Sequence, residues 1–289
     1  MTVRGKLVII GGAEDKGDTH DDLAKKTADK DATQTGILQR IILESRRKER
    51  SRIEVLTTAS TIPKEIGGDY IEAFKKLKAK NVDILMIEER EQAEDETFLK
   101  RLNEADVLFV TGGDQLRLTS ILGGTRFYDL LLEKLKDPKF MYAGTSAGAA
   151  VASENMIFQG SSSDALLKGE IRTTSGFGLV SDIVFDTHFI QRGRIGRLFQ
   201  IVVSNPNILG VGLEENTGLL IQGSKMEAIG PGMTILVDGR TIKKSNYMEI
   251  VEGTPISMDN LTVHVMSKTD VYDLKNHVLT IKTPEDCKL

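Results

Sequence analysis

The run Phe140-Met-Tyr-Ala-Gly-Thr-Ser-Ala-Gly-Ala-Ala-Val-Ala-Ser153 decides how the chain is read. Its first residues are apolar and suit a short buried strand. A glycine stops the run, one serine follows, and small helix-forming residues take over at once. Gly144-Thr-Ser146-Ala-Gly148 therefore fits G-x-S-x-G at a strand-to-helix junction. In a nucleophile elbow the serine occupies a strained turn, and flanking glycines let the backbone pass close on both sides. The N–H groups that follow face the place where an oxyanion forms. Glycine-rich turns of this kind also bind phosphate, so the surrounding residues have to decide the chemistry.

Outward from the elbow, short apolar runs alternate with longer amphipathic ones, the pattern of a parallel sheet covered by helices. Buried strands are expected at 7–10, 53–57, 83–87, 107–111 and 140–143 before the serine, and at 183–185, 208–212, 218–222 and 226–229 after it. Helices are expected over 34–47, with Ile37, Leu38, Ile41 and Ile42 on one face, over 70–79, and over about 94–102. A fourth follows Gly113 and ends near Leu130, Leu131 and Leu135. Past Ile229 the character changes: Gly230-Pro-Gly232, Asp238-Gly239 and Gly253-Thr-Pro255 punctuate short alternating runs such as Leu261-Thr-Val-His-Val-Met266. The expected fold is α/β, a doubly wound, mostly parallel sheet. Residues 1–230 form the catalytic α/β domain, and 231–289 form a C-terminal antiparallel β extension packed on it. The charged stretch 14–33 reads as a solvated surface loop.

Composition narrows the function. At 289 residues, one large domain is the expectation. A net charge of -4, 5% aromatics and no Trp give no case for nucleic acid or an anionic membrane. The lone cysteine, Cys287, excludes an internal disulfide framework and a cysteine zinc site. No apolar run approaches the roughly 20 residues of a membrane span, and the opening run is too short for a signal peptide, so a cytoplasmic location is expected. Gly11-Gly12-Ala13 does not match a dinucleotide fingerprint, and no G-K-[ST] phosphate loop is present.

A serine nucleophile needs a base that works near neutral pH, and the chain has four histidines. His20 lies in the charged loop, His264 in an alternating β run and His277 at a turn. His188 ends the strand Asp182-Ile-Val-Phe-Asp-Thr-His188, the same type of position as Ser146, and strand ends of open parallel sheets converge on one crevice. His188 is the candidate base. For the carboxylate that holds its tautomer, Glu214, Glu215, Asp186 and Asp164 are all available, and the residues alone leave the choice open. Val110-Thr-Gly-Gly-Asp-Gln115 also ends a strand, so Gly113 is placed to donate a second oxyanion N–H and Gln115 a side-chain amide. Directly after the histidine, Arg192, Arg194 and Arg197 offer fork geometry for substrate carboxylates.

G-T-S-A-G-A, T-G-G-D-Q, D-T-H-F-x-x-R-x-R-x-G-R-L and G-L-E-E-N-T, together with the opening Lys6-Leu-Val-Ile-Ile-Gly-Gly-Ala-Glu14, resemble the motifs of the cyanophycinase family, serine exopeptidases related to aspartyl dipeptidase. The resemblance spans roughly residues 5–268 and implies an α/β/α sandwich like that of class I glutamine amidotransferases, with serine in place of their cysteine. It implies a Ser-His-Glu triad, which maps to Ser146, His188 and Glu215, with Asp164 as the alternative acid. It further implies Gly113 and Ala147 as oxyanion donors, and Gln115, Asp186, Arg192, Arg194 and Arg197 as substrate contacts. The implied substrate is cyanophycin, a poly-aspartate backbone bearing arginine on each side-chain carboxyl, cut to β-Asp-Arg dipeptides through an acyl-enzyme on Ser146. No cofactor or metal is implied, and a homodimer is expected. Two other readings keep the same fold: an aspartyl or isoaspartyl dipeptidase acting on short peptides, and a catalytically silent scaffold.

Overall fold

The computed structural model describes residues 4–16 and 36–283. Most of the expected loop at 14–33, the first two residues of the expected helix at 34–47, His20 and Cys287 lie outside them. In chain order the elements are β1 (Lys6–Ile10), α1 (Ile37–Glu44), β2 (Arg52–Leu56), α2 (Pro63–Lys76), β3 (Asn81–Leu85), α3 (Glu96–Glu104), β4 (Val107–Val110), α4 (Gln115–Leu122), α5 (Arg126–Lys134) and β5 (Met141–Thr145). After the elbow come α6 (Ala147–Ala150), β6 (Asn155–Gln159), β7 (Arg172–Ser175), β8 (Ile183–Asp186), α7 (Ile195–Ser204), β9 (Leu209–Leu213), β10 (Gly218–Gln222) and β11 (Lys225–Ile229). The rest is strand: β12 (Thr234–Asp238), β13 (Lys244–Ser245), β14 (Met258–Asp259), β15 (Thr262–Met266), β16 (Val271–Asp273) and β17 (Val278–Thr280).

Nine strands form the main sheet, ordered β17-β16-β11-β10-β1-β5-β4-β2-β3. The β1–β5–β4–β2–β3 half is parallel and the β1–β10–β11–β16–β17 half antiparallel. Period-two alternation sorts its side chains. Val8, Ile10, Val55, Phe109 and Ala143 face one way, into a core closed by Ile37, Leu38, Ile41 and Ile42 of α1 and by Tyr70 and Phe74 of α2. Leu7, Ile9, Leu108 and Tyr142 face the other way, toward α3, α4 and α5. Removing each such aliphatic or aromatic side chain from water stabilises the fold by roughly 1.5–3 kcal/mol.

The α/β fold is as expected, and the second half of the chain adds a further sheet to it. The strands that carry the approach to His188 and Glu215 do not join the main sheet. β8 and β9 pair in parallel and, with β12 and β15, make a separate four-stranded sheet ordered β15-β12-β9-β8. One of its faces, with Phe185, Val211 and Leu236, shares the core beneath the main sheet, and the other, with Val184, Ile235 and Val237, is covered by Leu198, Ile201 and Val202 of α7. Strands after Ile229 are thus divided: β12 and β15 complete the second sheet while β16 and β17 extend the first. An all-apolar strand reads alike in either sheet, which is why the runs at 183–185 and 208–212 carry no mark of their address.

Smaller differences have local causes. The helix expected after Gly113 is two helices, broken at Gly123-Gly124 and restarted by Thr125, whose hydroxyl caps α5. The helix expected at 70–79 begins earlier, at Pro63, where proline suits a first turn. The helix after Ser146 is a single turn, and a β6–β7 hairpin that the sequence reading did not include follows it.

Candidate active site

β1 ends at Ile10, and three successive carbonyls there hold three separate parts of the chain. Ile10 O accepts from Ser146 N at 3.0 Å, Gly11 O from His188 N at 2.9 Å, and Gly12 O from Asn216 N at 2.8 Å. Residues far apart in sequence are thereby hung from one strand end. In the sequence Gly11-Gly12 fails a dinucleotide fingerprint and belongs to the opening motif of the family resemblance, with no part in the site assigned to it; the signal passed over is a glycine pair directly after the first buried strand.

Each of the suspended segments is strained. Ser146 has φ 50° and ψ -106°, His188 φ 49° and Asn216 φ 49°, a region that costs a non-glycine residue on the order of 1–3 kcal/mol. Close packing keeps the elbow in place: a Cβ on Gly148 would lie 2.4 Å from Val110 O, and one on Gly144 2.3 Å from Gly148 O. The buried Tyr142 hydroxyl donates to that same Gly148 carbonyl at 2.7 Å. Gly12, at φ 103°, serves a different purpose. A Cβ there would fall 2.4 Å from His188 Cε1 and 2.6 Å from Nε2, so the imidazole occupies the space that only glycine leaves open.

The result is a hydrogen-bonded line of three side chains. Ser146 Oγ is 3.0 Å from His188 Nε2, and His188 Nδ1 is 2.6 Å from Glu215 Oε1. With the Nδ1 proton donated to Glu215, Nε2 is left to accept the serine proton, the arrangement in which a hydroxyl is deprotonated as it attacks a carbonyl. The other acids considered are engaged elsewhere. Asp164 is exposed and accepts from Ser163 Oγ at 3.1 Å, while Glu214 accepts from Met233 N at 2.8 Å.

Beside the serine lies a polar cleft of about 280 Å3 whose walls include Gly113, Gln115, Ala147, Asp186, Thr187 and Arg192. The Gly112–Gly113 backbone runs next to the nucleophile, since a Cβ on Gly112 would lie 3.3 Å from Ser146 Cβ. Gln115 Nε2 donates to Ile157 O at 3.1 Å, which fixes its amide plane at the rim.

The three arginines line the same cleft but differ in environment. Asp186, 3% exposed, has Arg194 Nη1 at 3.1 Å and Arg197 Nε at 2.9 Å. The Arg197 N–H does not point along its contact, which makes that pair an ion pair rather than a hydrogen bond. Burial pushes the Asp186 carboxyl above its ordinary value, against the pull of the two guanidiniums, and burial draws Arg194 below its own. Arg192 is exposed and has no carboxylate partner among the described residues.

The model of peptidase family S51 matches residues 27–229. A cyanophycinase of Synechococcus elongatus is 32% identical over 275 residues, 95% of this chain and 80% of that protein. Those of Geminocystis herdmanii and Trichormus variabilis are 30% and 31% identical, over 95% and 93% of this chain and 96% and 85% of theirs. In fold the chain is similar to a peptidase from an acI-B1 actinobacterium, with TM-score 0.57, 17% identity and coverage of 91% of this chain and 96% of that one. It is also similar to a putative peptidase E protein of Listeria monocytogenes, with TM-score 0.51, 18% identity and coverage of 79% and 99%. A strained serine held against a histidine is what a serine-type peptidase requires, and this chain belongs to peptidase family S51.

Proposed function

We propose that the protein is a serine-type exopeptidase that degrades cyanophycin to β-Asp-Arg dipeptides. The observation that carries the reading is the Ser146–His188–Glu215 line beside an arginine-lined cleft, in a chain about a third identical to cyanophycinases. Ser146 Oγ attacks the α-carbonyl of the backbone bond joining the terminal β-Asp-Arg unit, and His188 Nε2 takes its proton. Glu215 holds the Nδ1–H and stabilises the imidazolium that forms. The N–H groups of Gly113 and Ala147 receive the oxyanion. Collapse returns the proton from His188 to the leaving amine and leaves an acyl-Ser146, which water, deprotonated by the same imidazole, then hydrolyses.

For the substrate, Arg192, which has no carboxylate partner among the described residues, meets a carboxylate of the terminal unit, with Gln115 and the Asp186–Arg194–Arg197 group shaping the rest of the subsite. The reading extends to a homodimer located in the cytoplasm, which sedimentation and cell fractionation test. Its main test is a substrate panel. Purified protein should release β-Asp-Arg, identified by mass, from insoluble cyanophycin and leave short aspartyl and isoaspartyl peptides largely intact. Cleavage of the short peptides with none of the polymer would move the function to a dipeptidase, and inactivity on both would leave a silent scaffold.

A further inference from the structure

Glu14 is almost fully buried, at 5% exposure, and takes no part in the chemistry described above. A buried carboxylate is unfavourable unless its oxygens are hydrogen-bonded, and both oxygens of Glu14 are. Thr145 Oγ1 donates to Oε2 at 2.6 Å, and the Tyr70 hydroxyl donates to Oε1. Burial, together with the Glu14 charge, pushes the Tyr70 phenol well above its ordinary value, so it remains a donor. The two donors lead directly to the site. Thr145 is the last residue of β5 and immediately precedes Ser146. Tyr70 belongs to α2 and packs, tilted by 49°, against Phe109, ring centroids 4.7 Å apart, in the strand that runs into Gly112–Gly113. The chain around Glu14 also reaches the acid's segment, for the next residue, Asp15, donates its N–H to Asn216 Oδ1 at 3.1 Å.

We propose that Glu14 is a positioning residue for the nucleophile. Its carboxylate, accepting from Thr145 and Tyr70, clamps the entry to the elbow so that Ser146 keeps its strained backbone and stays in line with His188. The Ile10 carbonyl holds the Ser146 N–H, and Glu14 holds the residue before it. Without the second clamp the end of β5 is free to relax toward ordinary dihedrals, which carries Oγ away from the imidazole. The inference rests on the reading of Ser146 as nucleophile.

The test is covalent labelling of Ser146 by a fluorophosphonate, run beside kcat and KM on cyanophycin and thermal unfolding, for the native protein, Glu14→Ala, Glu14→Gln and Thr145→Val. Displacement of a reacting atom by about 1 Å lowers a rate on the order of 10²-fold. Glu14→Ala is therefore expected to lose about 10- to 100-fold in both labelling rate and kcat, with KM within about twofold. Glu14→Gln, which keeps the shape and one acceptor, should recover most of that loss. Thr145→Val removes the same bond from the other side and should fall with Glu14→Ala, which keeps the test decisive if Glu14→Ala does not fold. Normal labelling in the variants, a drop in melting temperature with an unchanged rate per folded molecule, or equal damage in Glu14→Gln and Glu14→Ala would each overturn the role. If the reagent labels the native protein at a residue other than Ser146, the reading of Ser146 as nucleophile falls, and this inference with it.

Discussion

Ser146, His188 and Asn216 all sit at positive φ, and all three are held by carbonyls of residues 10–12. The strain of each is thus offset in part by a bond to the chain at the end of one strand. Gly12 is the residue on which this depends most narrowly. In Gly12→Ala the new methyl meets the imidazole at 2.4 Å, so His188 has to swing out of line. Activity should fall by about 10²-fold or more, measured as release of soluble product, with a stability cost of roughly 1–3 kcal/mol from the backbone strain alone. Glu215→Gln probes the other end of the line. An amide cannot stabilise the imidazolium and permits the wrong tautomer, so kcat should drop by about 10²-fold or more while KM changes little. An unchanged kcat would remove Glu215 from the mechanism.

Among the elements, the junction between β8 and α7 is fixed by charge. Asp186 ends β8, and Arg194 and Arg197 lie at the N-cap and in the first turn of α7. Two guanidiniums gathered on one buried carboxylate set the helix over the cleft and leave Arg192 outside the group. Asp186→Asn strips both arginines of their counter-charge. The expected loss is about 3–5 kcal/mol, read from the midpoint of urea unfolding. A stability within error of the native protein would mean that solvent already neutralises the arginines. Further along α7, the buried Gln200 pins the loop after β6 by accepting from Gly169 N at 2.9 Å and donating to Ala165 O and Leu167 O at 2.6 and 2.9 Å. From the opposite side, Lys168 Nζ donates to the carbonyls of Tyr247 and Ile250 at 2.7 and 2.8 Å. The loop between β13 and β14 is thus tied to the loop after β6, through this lysine and through backbone bonds such as Ile256 N to Leu166 O at 2.8 Å.

At the scale of the whole molecule, what the sequence disclosed was what short range determines. The elbow was legible because glycine, serine and alanine at fixed spacing admit few backbones. His188 was legible because it alone among four histidines ends an apolar strand. Long-range register left no such mark. On the residues alone four carboxylates are eligible beside His188, and the family resemblance singles out Glu215; the approach of the β9–β10 turn to β1 is what sets Glu215 Oε1 2.6 Å from Nδ1. The second sheet was invisible for the same reason, and the β6–β7 hairpin because its strands are short and β7 is largely exposed. The role of Gly11-Gly12 is likewise a long-range one, because their carbonyls hold the N–H groups of His188 and Asn216, far along the chain.

The most direct test of the account sets the native protein and Ser146→Ala side by side on insoluble cyanophycin, with soluble products identified by mass. The account predicts β-Asp-Arg from the native protein and, from an equally folded Ser146→Ala, a rate lower by about 10³-fold or more. Release of the same dipeptide at a comparable rate by Ser146→Ala would contradict it, because the bond would then be broken without the hydroxyl on which the whole arrangement converges.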